Sequence, residues 1–176
     1  MQDFNLDEEK NDLLGELDHL NSFIGLAKSF VKNSKIKRLL TNIQNDLFVI
    51  QANIARPRNA ACLPKDITQN RVLDIQKEVF FIEKGLKKIN HFIIPEGNTA
   101  ACMMHCVRTI ARNVERRIKG YLHEPTIMSQ YFDQVACLLF ALSRHINKQH
   151  NVVERVPAYV KSLCSKNQPL RKRRLP

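Results

Sequence analysis

No run of residues in this chain alternates apolar and polar with period two, so no strand is expected and sheet-based folds are excluded. Long apolar runs are missing as well. The longest, Val135 to Leu142, falls far short of the roughly 20 residues that a membrane-spanning helix requires, so no membrane partner is expected. The N-terminus is acidic at Asp3, Asp7, Glu8 and Glu9 and lacks the basic-then-apolar order of a secretory signal, which makes the cytoplasm the expected location. The five cysteines are odd in number and widely spaced, which fits a reducing compartment and not a disulfide framework. No Gly-x-Ser-x-Gly elbow is present, so a Ser-His-Asp nucleophile has no basis in the sequence.

What the chain does have is helical spacing from end to end. Its 176 residues, 44% hydrophobic and 26% charged, suit one globular domain with a proper core. Leu13, Leu17, Leu20, Ile24 and Val31 form a first stripe. Ile36, Leu39, Leu40, Ile43, Leu47, Ile50 and Ile54 form a second, which Pro57 stops near Arg56. Arg58 to Asp66 reads as a surface loop. A third helix is predicted from Thr68 to about His91, with Val72, Ile75, Val79, Ile82, Leu86 and Ile89 inward. The fourth follows the Pro95-Glu96-Gly97 turn and ends near Gly120, and the fifth runs from about Ile127 to Lys148. The fifth is apolar on almost every side between Val135 and Leu142, which places it in the middle of the bundle. Short connections between long amphipathic helices imply an all-α, five-helix antiparallel bundle over residues 1–150.

Residues 151–176 form a C-terminal extension, with a short helix expected around Pro157 to Leu163. It ends in a basic tail, Lys166 and Arg171 to Arg174, which carries much of the net charge of +11. Such a tail either binds nucleic acid or a membrane surface without specificity, or is a solvated end. No aromatic-interleaved basic patch and no recognisable nucleic-acid module accompanies it, so nucleic acid is not the expected partner.

The segment from Phe92 to Arg117 carries the chemistry. Val107, Ile110, Ala111, Val114 and Ile118 fall in one arc at about 100° per residue and make a core stripe. Arg108, Arg112, Glu115 and Arg116 occupy the neighbouring arc. Arginines on the shoulder of a buried stripe are partly desolvated, which suits holding an anion. The alternative is a solvated face laced by i,i+3 and i,i+4 pairs, Arg112 with Glu115 among them. Cys102, His105 and Cys106 offer three potential ligands on one helix. A closed zinc site needs four and no second cluster lies nearby, so no metal site is expected.

The segment's wording resembles the ATP:cob(I)alamin adenosyltransferases of the propanediol-utilisation type. That family carries a Phe-x-Leu-Pro-Gly-Gly turn and then Arg-Thr-x-x-Arg-Arg-x-Glu-Arg on the next helix. Here Phe92 and the turn through Gly97 precede Arg108, Thr109, Arg112, Glu115 and Arg116, with Asn113 in place of one arginine. Gly15 to Ala27 is similar to the family's Gly-x-x-Asp-Glu-Leu-Asn-x-x-Ile-Gly-Leu-Ala, and Ile43 to Phe48 to its Ile-Gln-x-Asp-Leu-Phe. Leu138 to Arg144 resembles its Leu-Leu-Phe-x-Leu-Ala-Arg. The ordered match covers about residues 8 to 150.

The resemblance implies a five-helix bundle that assembles as a homotrimer with ATP at the subunit boundary. It also implies transfer of the 5′-deoxyadenosyl group of ATP to the cobalt of reduced cobalamin, with Mg²⁺ at the phosphates and triphosphate leaving. Cobalt is the nucleophile, so the protein's tasks are orientation and charge neutralisation. In those terms Arg108 pairs with Asp18, Arg112 and Arg116 reach the phosphates, and Glu115 orients them. Phe92 displaces the lower cobalt ligand.

The chain departs from the family in places that touch the nucleotide. Met1 to Leu14 contain no glycine, where the family has a glycine- and threonine-rich phosphate wrap. The expectation is therefore either that the beginning is missing or that half of the nucleotide grip is lost. Asp133 and Cys137 stand where the family has an asparagine and an aspartate. Asp133 is expected to repel an anionic ligand, and Cys137 to remove a carboxylate that could hold the arginines. Glu96 replaces a glycine of the turn. These changes keep a second reading open, a catalytically reduced relative that binds a corrinoid or nucleotide as a trimer without transfer.

Overall fold

The computed structural model describes residues 2–56, 66–122 and 126–159, with side chains from residue 7 onward. Those residues form α1 (Gln2–Phe30), α2 (Ser34–Ala55), α3 (Gln69–Lys84), α4 (Thr99–Leu122) and α5 (Ile127–Gln149), with no strand among them. The all-α, five-helix expectation is met. Asn33 starts α2 by accepting from the backbone of Lys35 and Ile36, which satisfies donors that the helix cannot pair internally. Thr126 and Ser129 cap α5 reciprocally.

Ion pairs fix the directions. Arg117, late in α4, reaches Asp12 at 3.2 Å and Glu16 at 3.7 Å, early in α1, so those helices are antiparallel. Arg112 of α4 meets Asp133 of α5, and Asn98 ahead of α4 meets Asn147 late in α5. Successive helices alternate in direction, which leaves α3 and α5 parallel neighbours. α5 is central as expected: it packs on both α3 and α4 and buries Tyr131, Phe132, Val135, Leu138, Leu139, Leu142 and Ile146. The predicted stripe of α4, from Val107 to Ile118, is buried throughout.

The Ile43 to Phe48 motif has a structural task. Asp46 accepts from the Tyr131 hydroxyl at 2.7 Å and from Arg71 Nε at 2.7 Å, joining α2 to α5 and α3. Burial, reinforced by the Asp46 carboxylate, holds the Tyr131 hydroxyl well above its ordinary pKa, so it remains a donor.

The third helix corrects the sequence expectation. It stops at Lys84, not near His91, because Gly85 turns its own amide onto Ile82 O at 3.1 Å. Side chains of α5 then take the carbonyls that further helical turns would have used. Lys148 Nζ donates to Gly85 O at 2.6 Å, and Arg144 Nη2 donates to Lys87 O at 2.7 Å. Leu86 and Ile89 remain half-buried without being helical. Residues 86–98 are thereby freed to run irregularly beside α5, and they carry Phe92.

Of the expected helix after Pro157, Ala158 and Tyr159 are helical, and the remainder lies outside the described residues with the basic tail. Most of the Arg58 to Asp66 loop lies outside them too. Among the described residues no helix is long and apolar enough to cross a membrane.

Candidate functional site

A cleft of about 630 Å³ opens between α4, α5 and the irregular segment ahead of α4. Its apolar wall includes Ile89, Phe92, Ile93, Pro95, Ala136 and Phe140, and its polar groups are Asn90, His91, His105, Arg108, Arg112, Asp133 and Cys137. The structure thus gathers Phe92, Arg108, Arg112, Asp133 and Cys137 from three separate segments. Asp18, Glu115 and Arg116 do not line this cleft.

The arginines differ in what holds them. Arg112 Nη1 lies 2.7 Å from Asp133 Oδ1 and 2.5 Å from Glu115 Oε2. Glu115 is buried, only 2% exposed, and Lys119 Nζ also donates to it at 2.6 Å. The predicted Arg112–Glu115 pair therefore forms, and it belongs to a network that neutralises a buried carboxylate. Asp133 enters that network instead of standing as a bare charge. Arg116 is exposed and donates to Asn113 on its own helix.

Arg108 is freer. Its guanidinium lies 6.0 Å from the centre of the Phe140 ring, and its Nε is buried without an acceptor among the described residues. Asp18 is exposed on α1 and has no hydrogen bond or ion pair among the described residues, so the expected pair with Arg108 is not made within one chain.

Reasoning from sequence missed His105 as a cleft residue. It is 5% exposed, its ring stands edge-on to Phe140 at 6.0 Å, and neither ring nitrogen has a partner among the described residues. Cys106, its neighbour, is exposed, and Cys102 Sγ donates to Gly97 O at 3.7 Å. Among the described residues no group of three or more His, Cys, Asp or Glu is placed to hold a metal ion. The i,i+3 spacing from His105 to Arg108 was the available signal, since it puts both on one shoulder of α4.

Burial, and then the nearby Arg108, lower the pKa of His105 from 6.5, while Glu154 opposes them. His105 is therefore neutral, with one donor and one acceptor to offer. Because its folded pKa lies below the unfolded value, the stability it confers is present above 6.5 and is lost as pH falls through the folded pKa. The melting temperature should fall as pH drops below 6.5, and less steeply in His105→Gln. His145, lowered by burial and then by Lys148 and Lys35, supplies a further part of that slope. Identical slopes for variant and wild type would show that His105 takes no part.

At Cys137, partial burial and then the Asp133 carboxylate raise the thiol pKa, so a reactive thiolate is disfavoured there. The Cys137 thiol is thus held protonated and His105 neutral, and Arg108 has no counter-ion among the described residues. They line a cleft with a broad apolar wall and an arginine-bearing edge in an all-α bundle.

The chain belongs to the cobalamin adenosyltransferase family, whose pattern matches residues 6–146. A corrinoid adenosyltransferase of Mycobacterium leprae (strain TN) is 30% identical over 151 residues, covering 80% of this chain and 79% of the relative. The corrinoid adenosyltransferase PduO of Citrobacter freundii is 28% identical over 149 residues, covering 81% of this chain and 44% of that longer protein. Among solved structures, a variant of the PduO-type ATP:corrinoid adenosyltransferase from Lactobacillus reuteri, complexed with cobalamin and ATP, superimposes with a TM-score of 0.78. That match covers 85% of this chain and 86% of the other at 22% identity, so it establishes the fold.

Proposed function

We propose that this protein is a corrinoid adenosyltransferase, transferring the 5′-deoxyadenosyl group of ATP to the reduced cobalt of a corrinoid such as cobalamin and releasing triphosphate. The observation that carries the reading is the single cleft that unites Phe92, Arg108, Arg112, Asp133 and Cys137. The Co(I) electron pair attacks C5′ as the C5′–O bond breaks towards the triphosphate, and no protein base is required. The apolar wall with Phe92 and Phe140 faces the corrin, and Phe92 occupies the lower side of the cobalt. His105 offers its neutral ring to the amide side chains at the corrin edge.

Arg108 meets the nucleotide, with Arg112 and Arg116 towards the triphosphate and Glu115 fixing Arg112. Mg²⁺ would be carried by the ATP phosphates, supplying charge neutralisation there, since among the described residues no cluster of carboxylates is placed to hold it. The working form is a homotrimer with the nucleotide at the subunit boundary. What supports this is complementarity: among the described residues Asp18 is exposed without a partner and Arg108 has no counter-ion, so each can complete the other between copies. The reaction is placed in the cytoplasm, where thiols stay reduced.

A second reading, a corrinoid- or nucleotide-binding trimer without transfer, is favoured by the two carboxylates that already hold Arg112. An anaerobic assay separates the two. Protein, ATP, Mg²⁺ and chemically reduced cobalamin should yield adenosylcobalamin, with ATP binding followed in parallel by titration calorimetry. Binding without product would establish the second reading, and neither binding nor product from folded protein would overturn both.

A further inference from the structure

We propose that residues 152–155 form a strap whose Arg155–Glu96 ion pair positions Phe92, and that this pair acts on reduction of the bound corrinoid and not on adenosyl transfer. The proposal rests on the reading of Phe92 given above. Phe92 is 72% exposed, so burial does not hold its ring in place. Its position depends on the points where residues 86–98 are fastened.

Two residues of α5 fasten both the segment and the strap. Arg144, 6% exposed, donates from Nη2 to Lys87 O at 2.7 Å, and from Nε and Nη2 to the Glu154 carboxylate at 2.7 and 3.0 Å. Asn147 donates from Nδ2 to Glu96 O at 2.8 Å, and its Oδ1 accepts from Asn98 N at 3.0 Å. The amide of Val152 donates to Asn147 O at 2.9 Å, which starts the strap against α5. The strap then turns back onto the segment. Ile94 N donates to Arg155 O at 2.8 Å, and the Arg155 guanidinium donates to both carboxylate oxygens of Glu96.

On its C-terminal side, Phe92 is therefore restrained first by Arg155, through the backbone at Ile94 and the side chain at Glu96. A two-pronged guanidinium–carboxylate pair adds direction as well as attraction. The Arg155 side chain is 71% exposed, and an exposed pair contributes little to global stability. Its consequence is geometric. Glu96 stands where the resembling family has glycine, so this chain gives Arg155 a partner that a glycine turn lacks. The hydrogen bond from Arg155 also holds the Glu96 carboxyl below its ordinary pKa, so the carboxylate persists under mildly acidic conditions.

Reduction and transfer are separable. In the first, Co(II) accepts one electron from a reduced flavin and becomes Co(I), which is easier once the lower ligand has left. In the second, the Co(I) electron pair forms the bond to C5′ and triphosphate departs. A misplaced Phe92 should slow the first and spare the second.

The test uses the full chain as wild type, Arg155→Gln, Glu96→Gln and the exchanged pair Arg155→Glu with Glu96→Arg. Adenosylcobalamin formation is followed from cob(II)alamin with reduced flavin, and separately from cobalamin already reduced chemically to Co(I). From cob(II)alamin the single variants should lose about tenfold, in line with the cost of small displacements at reacting centres. From Co(I) they should stay within about twofold, with the melting temperature within about 2 °C of wild type. The exchanged pair should regain most of the loss. Equal losses from both starting states, no loss from cob(II)alamin, or an exchange that restores nothing would each overturn the proposal. Wild-type protein inactive even with pre-reduced cobalamin would overturn the functional reading itself, and the strap's role with it.

Discussion

Arg108→Ala is expected to cut kcat/KM for adenosyl transfer by more than about a hundredfold, equivalent to about 2.7 kcal/mol of transition-state stabilisation. The melting temperature should stay within about 2 °C of wild type or rise. The asymmetry follows from what Arg108 lacks. Its Nε is buried without an acceptor among the described residues, and its guanidinium lies over the face of Phe140 at 6.0 Å. A buried donor without a partner costs stability, so the resting fold gains little from it. Arg108→Lys keeps the charge and loses the fork, and should fall between wild type and alanine. Initial rates and thermal melts on the same preparations decide the matter. A large fall in melting temperature with unchanged kcat/KM would make Arg108 structural. Arg112 is the useful contrast, because it neutralises the buried Glu115 and its removal should cost stability as well as rate.

The helices were legible because each writes a stripe with the helical period, and the caps and prolines at their ends are local chemistry. Leu13 to Ile24, Ile36 to Ile50 apart from the half-buried Leu39, and Val107 to Ile118 are buried as their spacing predicts. The third helix misled because Leu86 and Ile89 continue the period beyond Gly85. Gly85, whose amide turns back onto Ile82 O, is the local part of the stop, and the rest is not local. Lys148 and Arg144, about 60 residues away in sequence, take the carbonyls of Gly85 and Lys87. A periodic pattern reports which residues prefer the interior, and it carries no information about a competing donor on another helix.

The cleft divides along the same line. Phe92, Arg108 and Arg112 stand out within one segment, and the cleft brings in Asp133 and Cys137 of α5 where the resemblance pointed. The consequence of Asp133 was not legible. Alone it reads as a repulsive charge near an anion, and only the 2.7 Å contact with Arg112 shows it to be compensated. His105 was legible as a possible metal ligand and as a neighbour of Arg108 on one shoulder of α4, but sequence has no mark for its burial with two unpartnered nitrogens among the described residues. Arg144 and Asn147 were hidden because their partners lie in irregular backbone, which has no period to read.

Gly97→Ala should destabilise the protein by about 3 kcal/mol, from left-handed strain of about 1–2 kcal/mol and the weakening of two buried hydrogen bonds worth about 1 kcal/mol each. Gly97 has φ +115°, a conformation that a side chain disfavours. A Cβ there would also run into the Asn147 side chain, against Oδ1 and within 2.8 Å of Cγ. Asn147 cannot simply swing away, because it is 3% exposed and bonded to both Glu96 O and Asn98 N. For a chain of this size the melting temperature should fall by about 6–12 °C. Transfer starting from cob(II)alamin should fall more than transfer starting from Co(I), since the disturbed turn carries Phe92. Gly15→Ala is the matched control. Its added Cβ would meet nothing within 4 Å on the exposed side of α1, and alanine should stabilise that helix by up to about 1 kcal/mol. If Gly97→Ala melts like wild type while Gly15→Ala behaves as expected, the Asn147 clamp does not hold the Phe92 segment.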